Sequence, residues 1–137
     1  MATEGFAADG TMLKDSAQFD LAQEMADAEQ KKPWAAGRYT KILFKKSDFR
    51  IVMISMEKGA IIKEHHADGT LSVQVLKGAV RLTVEGKAYE LKTGGVLTLG
   101  ASIKHEVEAL EDTAFLLTIS WPDAAKLQAM EHRGYGT

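Results

Sequence analysis

From Arg38 to Trp121 the chain is built of short runs rich in Ile, Val, Leu and Thr, separated by Gly, Asp or Lys. The runs are "RYTKILF", "FRIVMISM", "LSVQVL", "AVRLTVEG", "VLTLG" and "AFLLTISW". Turn signals recurring about every eight to twelve residues predict a β-sandwich or barrel. In "AVRLTVEG" the alternation is clean: Val80, Leu82 and Val84 share one face, Arg81 and Thr83 the other. Other runs are apolar on both faces, which predicts that both are covered.

The flanks differ. Residues 1 to 15 read as a loose polar leader. Residues 16 to 32 read as a helix, with Ser16 as its cap, Phe19, Leu21, Ala22, Met25 and Ala28 as an apolar stripe, and Pro33 as its stop. After the strands, Pro122 and Asp123 open a second short helix to about residue 132. The expected division is therefore 1–37 leader and helix, 38–121 barrel, and 122–137 helix and tail. The apolar surface of Phe19, Leu21, Met25 and Trp34 exceeds what one small barrel is expected to cover, and this predicts a homodimer.

Composition excludes several functions. A net charge of −2 on 137 residues gives no reason to expect nucleic acid or an anionic membrane as partner. The absence of cysteine removes disulfides, thiolate metal sites and cysteine nucleophiles. No secretory signal or membrane-length apolar stretch is visible, so the expected location is cytoplasmic. No Ser-His-acid spacing is recognisable around Ser72, Thr98 or Ser102, and no catalytic residue is assigned. Lys87 and Tyr89 read as decoration of a hairpin.

The four histidines carry the chemistry. His132 falls in the terminal helix among charges and reads as a surface residue. His105 alternates with Ile103, Val107 and Ala109, opposite Lys104, Glu106 and Glu108, so it points inward. A buried imidazole needs a hydrogen bond, a metal or a ligand. For His65 and His66 the loop decides. A two-residue turn at Asp68-Gly69 puts His66 with Ile62, Leu71, Val73 and Val75. A three-residue loop, Ala67-Asp68-Gly69, with Gly69 left-handed puts His65 there instead, with Ile61. One added loop residue flips every side chain.

The spacing of these residues resembles the cupin superfamily, specifically the small single-domain bacterial cupins of the conserved-barrel type. The family's first motif is G-x5-H-x-H-x3,4-E-x6-G, and Gly59, His65 and Gly78 match it. The second is G-x5-P-x-G-x2-H-x3-N, matched by Gly94 and His105. Ala67 stands at the second histidine, Leu71 at the glutamate, Gly100, Ala101 and Ser102 at proline-x-glycine, and Ala109 at the asparagine. The resemblance implies an all-β fold, a jelly-roll-like double-stranded β-helix barrel with short terminal helices, and it favours His65 facing inward. A full cupin site offers three histidines and one glutamate to a divalent ion, and only His65 and His105 carry over. A third ligand would have to be Glu64, Gln74 or a bulged His66. Two readings of the site stay open: a cupin that has lost its metal and keeps an apolar pocket, or a rearranged divalent-metal site at His65, His105 and His66. The expected function is binding of a small organic ligand by His65, His105, Leu71 and Val73. The rivals are a metal-dependent oxygenase, lyase or isomerase, and a structural dimerisation module.

Overall fold

The computed structural model describes residues 16–122. One helix, α1 (Leu21–Glu29), precedes nine strands: β1 (Arg38–Lys45), β2 (Phe49–Met56), β3 (Ile61–His65), β4 (Thr70–Lys77), β5 (Ala79–Val84), β6 (Lys87–Lys92), β7 (Val96–Leu99), β8 (His105–Ala109) and β9 (Thr113–Ser120). They form a five-stranded sheet in the order β1-β2-β9-β4-β7 and a four-stranded sheet in the order β3-β8-β5-β6. Every pairing is antiparallel. This is the all-β architecture that the turn spacing predicts. The expected second helix and His132 lie outside the described residues. Among the described residues no helix is long and apolar enough to cross a membrane.

Two layers of apolar residues explain why several runs lack alternation. Val52, Ile54 and Met56 of β2 join Leu71, Val73, Val75, Val80, Leu82, Leu99, Val107, Phe115 and Ile119 between the sheets. Met53, on the other face of β2, is buried with Leu43, Ala28 and Trp34, with Ile51 and Leu116 packed against them. Thus α1 and Trp34 cover the outer face of the larger sheet. The Trp34 indole N–H donates to the Ala28 carbonyl at 2.9 Å, which satisfies its polar edge in this layer. Phe19, Leu21 and Met25 are half-buried in the same cluster. The chain's own sheet thus covers Trp34 and part of Phe19, Leu21 and Met25, the residues on which the sequence rests a homodimer. The Lys41 ammonium of β1, 2.6 Å from the Glu24 carboxylate, ties the helix down, and that bond raises the lysine's pKa.

The helix is shorter than the stripe suggests, and its cap is different. Asp20, with extended backbone, accepts from the Gln23 N–H at 3.1 Å, so Asp20 and not Ser16 caps α1. An Asx side chain at the true boundary competes better for that amide than a serine several residues upstream.

The smaller sheet buries Val80 and Leu82 and turns Arg81 outward between the carboxylates of Glu90 and Glu108, its neighbours on β6 and β8. A two-residue left-handed turn does occur, but at Glu85-Gly86, where φ is 50° and 83° and Val84 faces Lys87. Lys87 then lies over the Tyr89 ring on the exposed hairpin. The Asp68-Gly69 segment is no hairpin: β3 pairs with β8, and β4 with β7 and β9, so the loop crosses from one sheet to the other. Gly69 is not left-handed. It is glycine because a Cβ there would meet the Ser120 carbonyl oxygen at 2.4 Å.

The cap assignment is tested by urea unfolding. Asp20→Ala is expected to cost about 1 kcal/mol, and Ser16→Ala to leave the midpoint unchanged.

Candidate functional site

The sheets meet at one end of the barrel through two loops. Residues 66–69 lead from β3 to β4, and residues 100–104 from β7 to β8. The Ser102 N–H donates to the Ala67 carbonyl at 2.7 Å and joins the loops. His65 ends β3 and His105 begins β8, so both imidazoles stand at this end.

Their register is set by a bulge. Ile62 faces Val107, but His65 faces His105, so β3 spends one more residue than β8 between these pairs. Without the extra residue, Ile62 and His65 would point to opposite faces. With it, Ile62 packs on the core and His65 lies on the same face as His105. The register puts His65 on the face of His105, as the three-residue reading expects, but at an exposed rim and for a different reason, since no β3–β4 hairpin exists. Ile61, expected beside His65, is 44% exposed.

The two rings are 4.3 Å apart between centroids, tilted by 58°. His105 is buried and His65 lies outside it, exposed at the rim. Each Nδ1 lies 2.9 Å from the carbonyl two residues earlier, Lys63 for His65 and Ile103 for His105. A carbonyl can only accept, so each Nδ1 carries the proton and donates. Both Nε2 atoms are thereby left with a lone pair. Burial lowers the pKa of His105, and the nearby His65 and His66 add to the shift, while the Ile103 bond opposes it.

His66 is exposed and stands beside this pair rather than in it. Leu71 and Val73 are buried on the facing sheet, Leu71 opposite Leu99 and Ile119, Val73 opposite Leu97 and Leu117. The wall that the histidines face is therefore apolar.

One residue escapes the sequence reading. Arg50 alternates with Val52, Ile54 and Met56, whose side chains fill the core, and it faces the buried Ile119. It therefore shares their inner face at the same end of the barrel. The argument applied to His105 does not reach it, because the other face of β2, with Ile51 and Met53, is apolar and covered as well.

A sequence profile described as a cupin domain matches residues 52–121. The chain belongs to the cupin family. No curated protein matches this cupin. Among solved structures it is similar to a conserved protein of unknown function from Streptococcus pyogenes, 24% identical over 81% of this chain and 92% of that one, with a TM-score of 0.65. KdgF from Halomonas sp. is 22% identical over 69% of this chain and 87% of that one, at a TM-score of 0.61. A cupin 2 conserved barrel domain protein from Leptotrichia buccalis is 31% identical over 68% of this chain and 45% of that one, at a TM-score of 0.62. The first two likenesses establish the fold alone.

Among the described residues the donor set of this cupin falls short of a usual metal centre. Two imidazoles face one another, Leu71 stands where the motif has its carboxylate, and Ala67 where it has a further histidine. Among the described residues no group of three or more His, Asp or Glu comes together to hold an ion. Catalytic zinc usually takes three protein ligands, and non-haem iron two histidines and a carboxylate.

The low pKa of His105 has a consequence for stability. The unfolded chain takes up a proton near the ordinary imidazole value of about 6.5, and the folded chain resists until a lower pH. The unfolded state then binds more protons, so stability falls as pH drops through this window. Urea midpoints taken between pH 7.5 and 5 are expected to decline, and to decline less in His105→Gln.

Proposed function

We propose that this cupin binds a small organic molecule at the mouth of its barrel, with His65 and His105 receiving the ligand's polar end. The observation that supports this is the pair of Nδ1 bonds to Lys63 and Ile103, which leaves an Nε2 acceptor on each of two rings 4.3 Å apart, opposite an apolar wall. Sites for small molecules are typically apolar hollows with a few fixed polar groups of this kind. The rings are held by backbone carbonyls, so little ordering remains to be done on binding. The chemistry available to the pair is hydrogen bonding and, for neutral imidazole, acceptance of a proton.

A second reading is supported by the same bonds. Two Nε2 lone pairs on adjacent rings could also hold a divalent ion, weakly for want of a third protein ligand. Metal-dependent chemistry at His65, His105 and His66, as an oxygenase, lyase or isomerase, would need that third donor. The structural-module reading needs neither ligand nor ion.

Thermal unfolding with a panel of small polar organic molecules, and metal content after mild purification, separate the three. For the proposed function, some panel members raise the midpoint, metal content is low, and His105→Ala abolishes the shift. Loss of binding is expected in His65→Ala also, while His66→Ala retains most of it. An unchanged midpoint with every panel member would overturn the proposal. Stoichiometric metal lost in His65→Ala and His105→Ala would favour the second reading.

A further inference from the structure

The wall opposite the histidines carries a cation, Arg50, whose Nε has no hydrogen-bond partner among the described residues. Arg50 begins a row of inward positions across the larger sheet: it faces Ile119 on β9, which faces Leu71 on β4, which faces Leu99 on β7. Its neighbours in that row are apolar and buried. The guanidinium carbon lies 5.1 Å from the centre of the Trp121 ring, and Trp121 packs on the core. The Arg50 Nε is buried and has no hydrogen-bond partner among the described residues. By contrast, Arg81 on the outer face of the other sheet is matched by two carboxylates.

An indole face steadies the guanidinium plane but accepts none of its in-plane N–H groups. A buried donor left without an acceptor is costly, and the few that persist in folded proteins call for a reason. The donors and acceptors of this mouth are complementary in an incomplete way. One wall offers the Nε–H of Arg50, and the other offers two imidazole lone pairs. Neither set is used by the other, because they stand on facing sheets, whose spacing is roughly 10 Å.

We propose that Arg50 is the carboxylate-binding residue of this mouth, and that the ligand is a small organic acid carrying a hydroxyl group. The planar fork of Nε and Nη donors fits two carboxylate oxygens at once. The hydroxyl donates to Nε2 of His105 or His65, and the apolar middle of the ligand lies along Leu71 and Ile119. Trp121 closes one face of the guanidinium and keeps the fork aimed. The inference rests on the ligand-binding reading above and specifies its chemical class.

The test uses pairs of equal shape that differ in charge: acetate with acetamide, lactate with lactamide, and para-hydroxybenzoate with para-hydroxybenzamide. Each is titrated at millimolar concentration into the full chain, labelled with nitrogen-15. The Arg50 Nε signal and the His105 ring signals are followed. Each carboxylate is expected to shift the Arg50 signal and to bind about tenfold or more tightly than its amide, as charge-assisted bonds require. The hydroxylated pairs should also move His105. In Arg50→Gln the two members of each pair should converge, with the His105 response to the amide kept. Arg50→Lys, which keeps the charge and loses the fork, should show a smaller preference than the native chain. Equal affinity of acid and amide in the native chain would overturn the role of Arg50 and leave the ligand-binding reading standing. No response of Arg50 or His105 to any of the compounds would overturn both.

Discussion

Strand β9 holds the larger sheet together. It lies between β2 and β4, two strands far from it in the chain, and pairs with both along its length. Without it, β1 and β2 would have no sheet partner in common with β4 and β7. Its sequence suits this central place, because it is apolar on both faces. Phe115 and Ile119 reach into the barrel, and Leu116 packs in the layer under α1 and Trp34. The same pairings align Arg50, Ile119 and Leu71 in one row, so the strand that closes the sheet also assembles the apolar wall of the mouth.

The opposite wall depends on one irregular step. The bulge in β3 brings His65 in front of His105, and the strand thereby keeps Ile62 in the core. Such bulges commonly re-aim a side chain at a functional end of a barrel. The loops at this end are tightly joined, with the Ser102–Ala67 bond between them and Gly69 pressed on the Ser120 carbonyl. The polar groups thus stand on strand ends beside joined loops, a suitable arrangement for fixed hydrogen-bond geometry.

The relation to the family follows from these details. Gly59, Gly78 and Gly94, the motif glycines, all have positive φ, so the matched spacing reflects turns the fold requires. At Gly78 a Cβ would also meet the Asp112 carbonyl oxygen at 2.3 Å. The turns and two histidines are kept, while Ala67 and Leu71 stand at the other two ligand positions. A barrel can lose ligands without losing its fold because the ligands do not carry its packing: Leu71 is buried as an ordinary core residue.

Alternation in the chain decided by itself which face each regular strand buries. Val80 and Leu82, His105 and Val107 all point as the period of two requires, since successive side chains on a strand take opposite sides. The turn spacing likewise determined a barrel of short strands. The place of Arg50 was not legible in this way, because both faces of β2 are apolar and covered. What the chain could not decide locally was which strands are neighbours. Asp68-Gly69 suits a tight turn as well as Glu85-Gly86 does, yet only the latter joins paired strands, and the former crosses between sheets. The choice depends on β8 and β9, which arrive much later in the chain to claim β3 and β4. The bulge that brings His65 onto the face of His105, the outer layer that buries Trp34, and the Arg50 Nε left without a partner among the described residues are decided there too. Each is a property of contacts between distant segments, and period-two alternation within one strand carries no information about them.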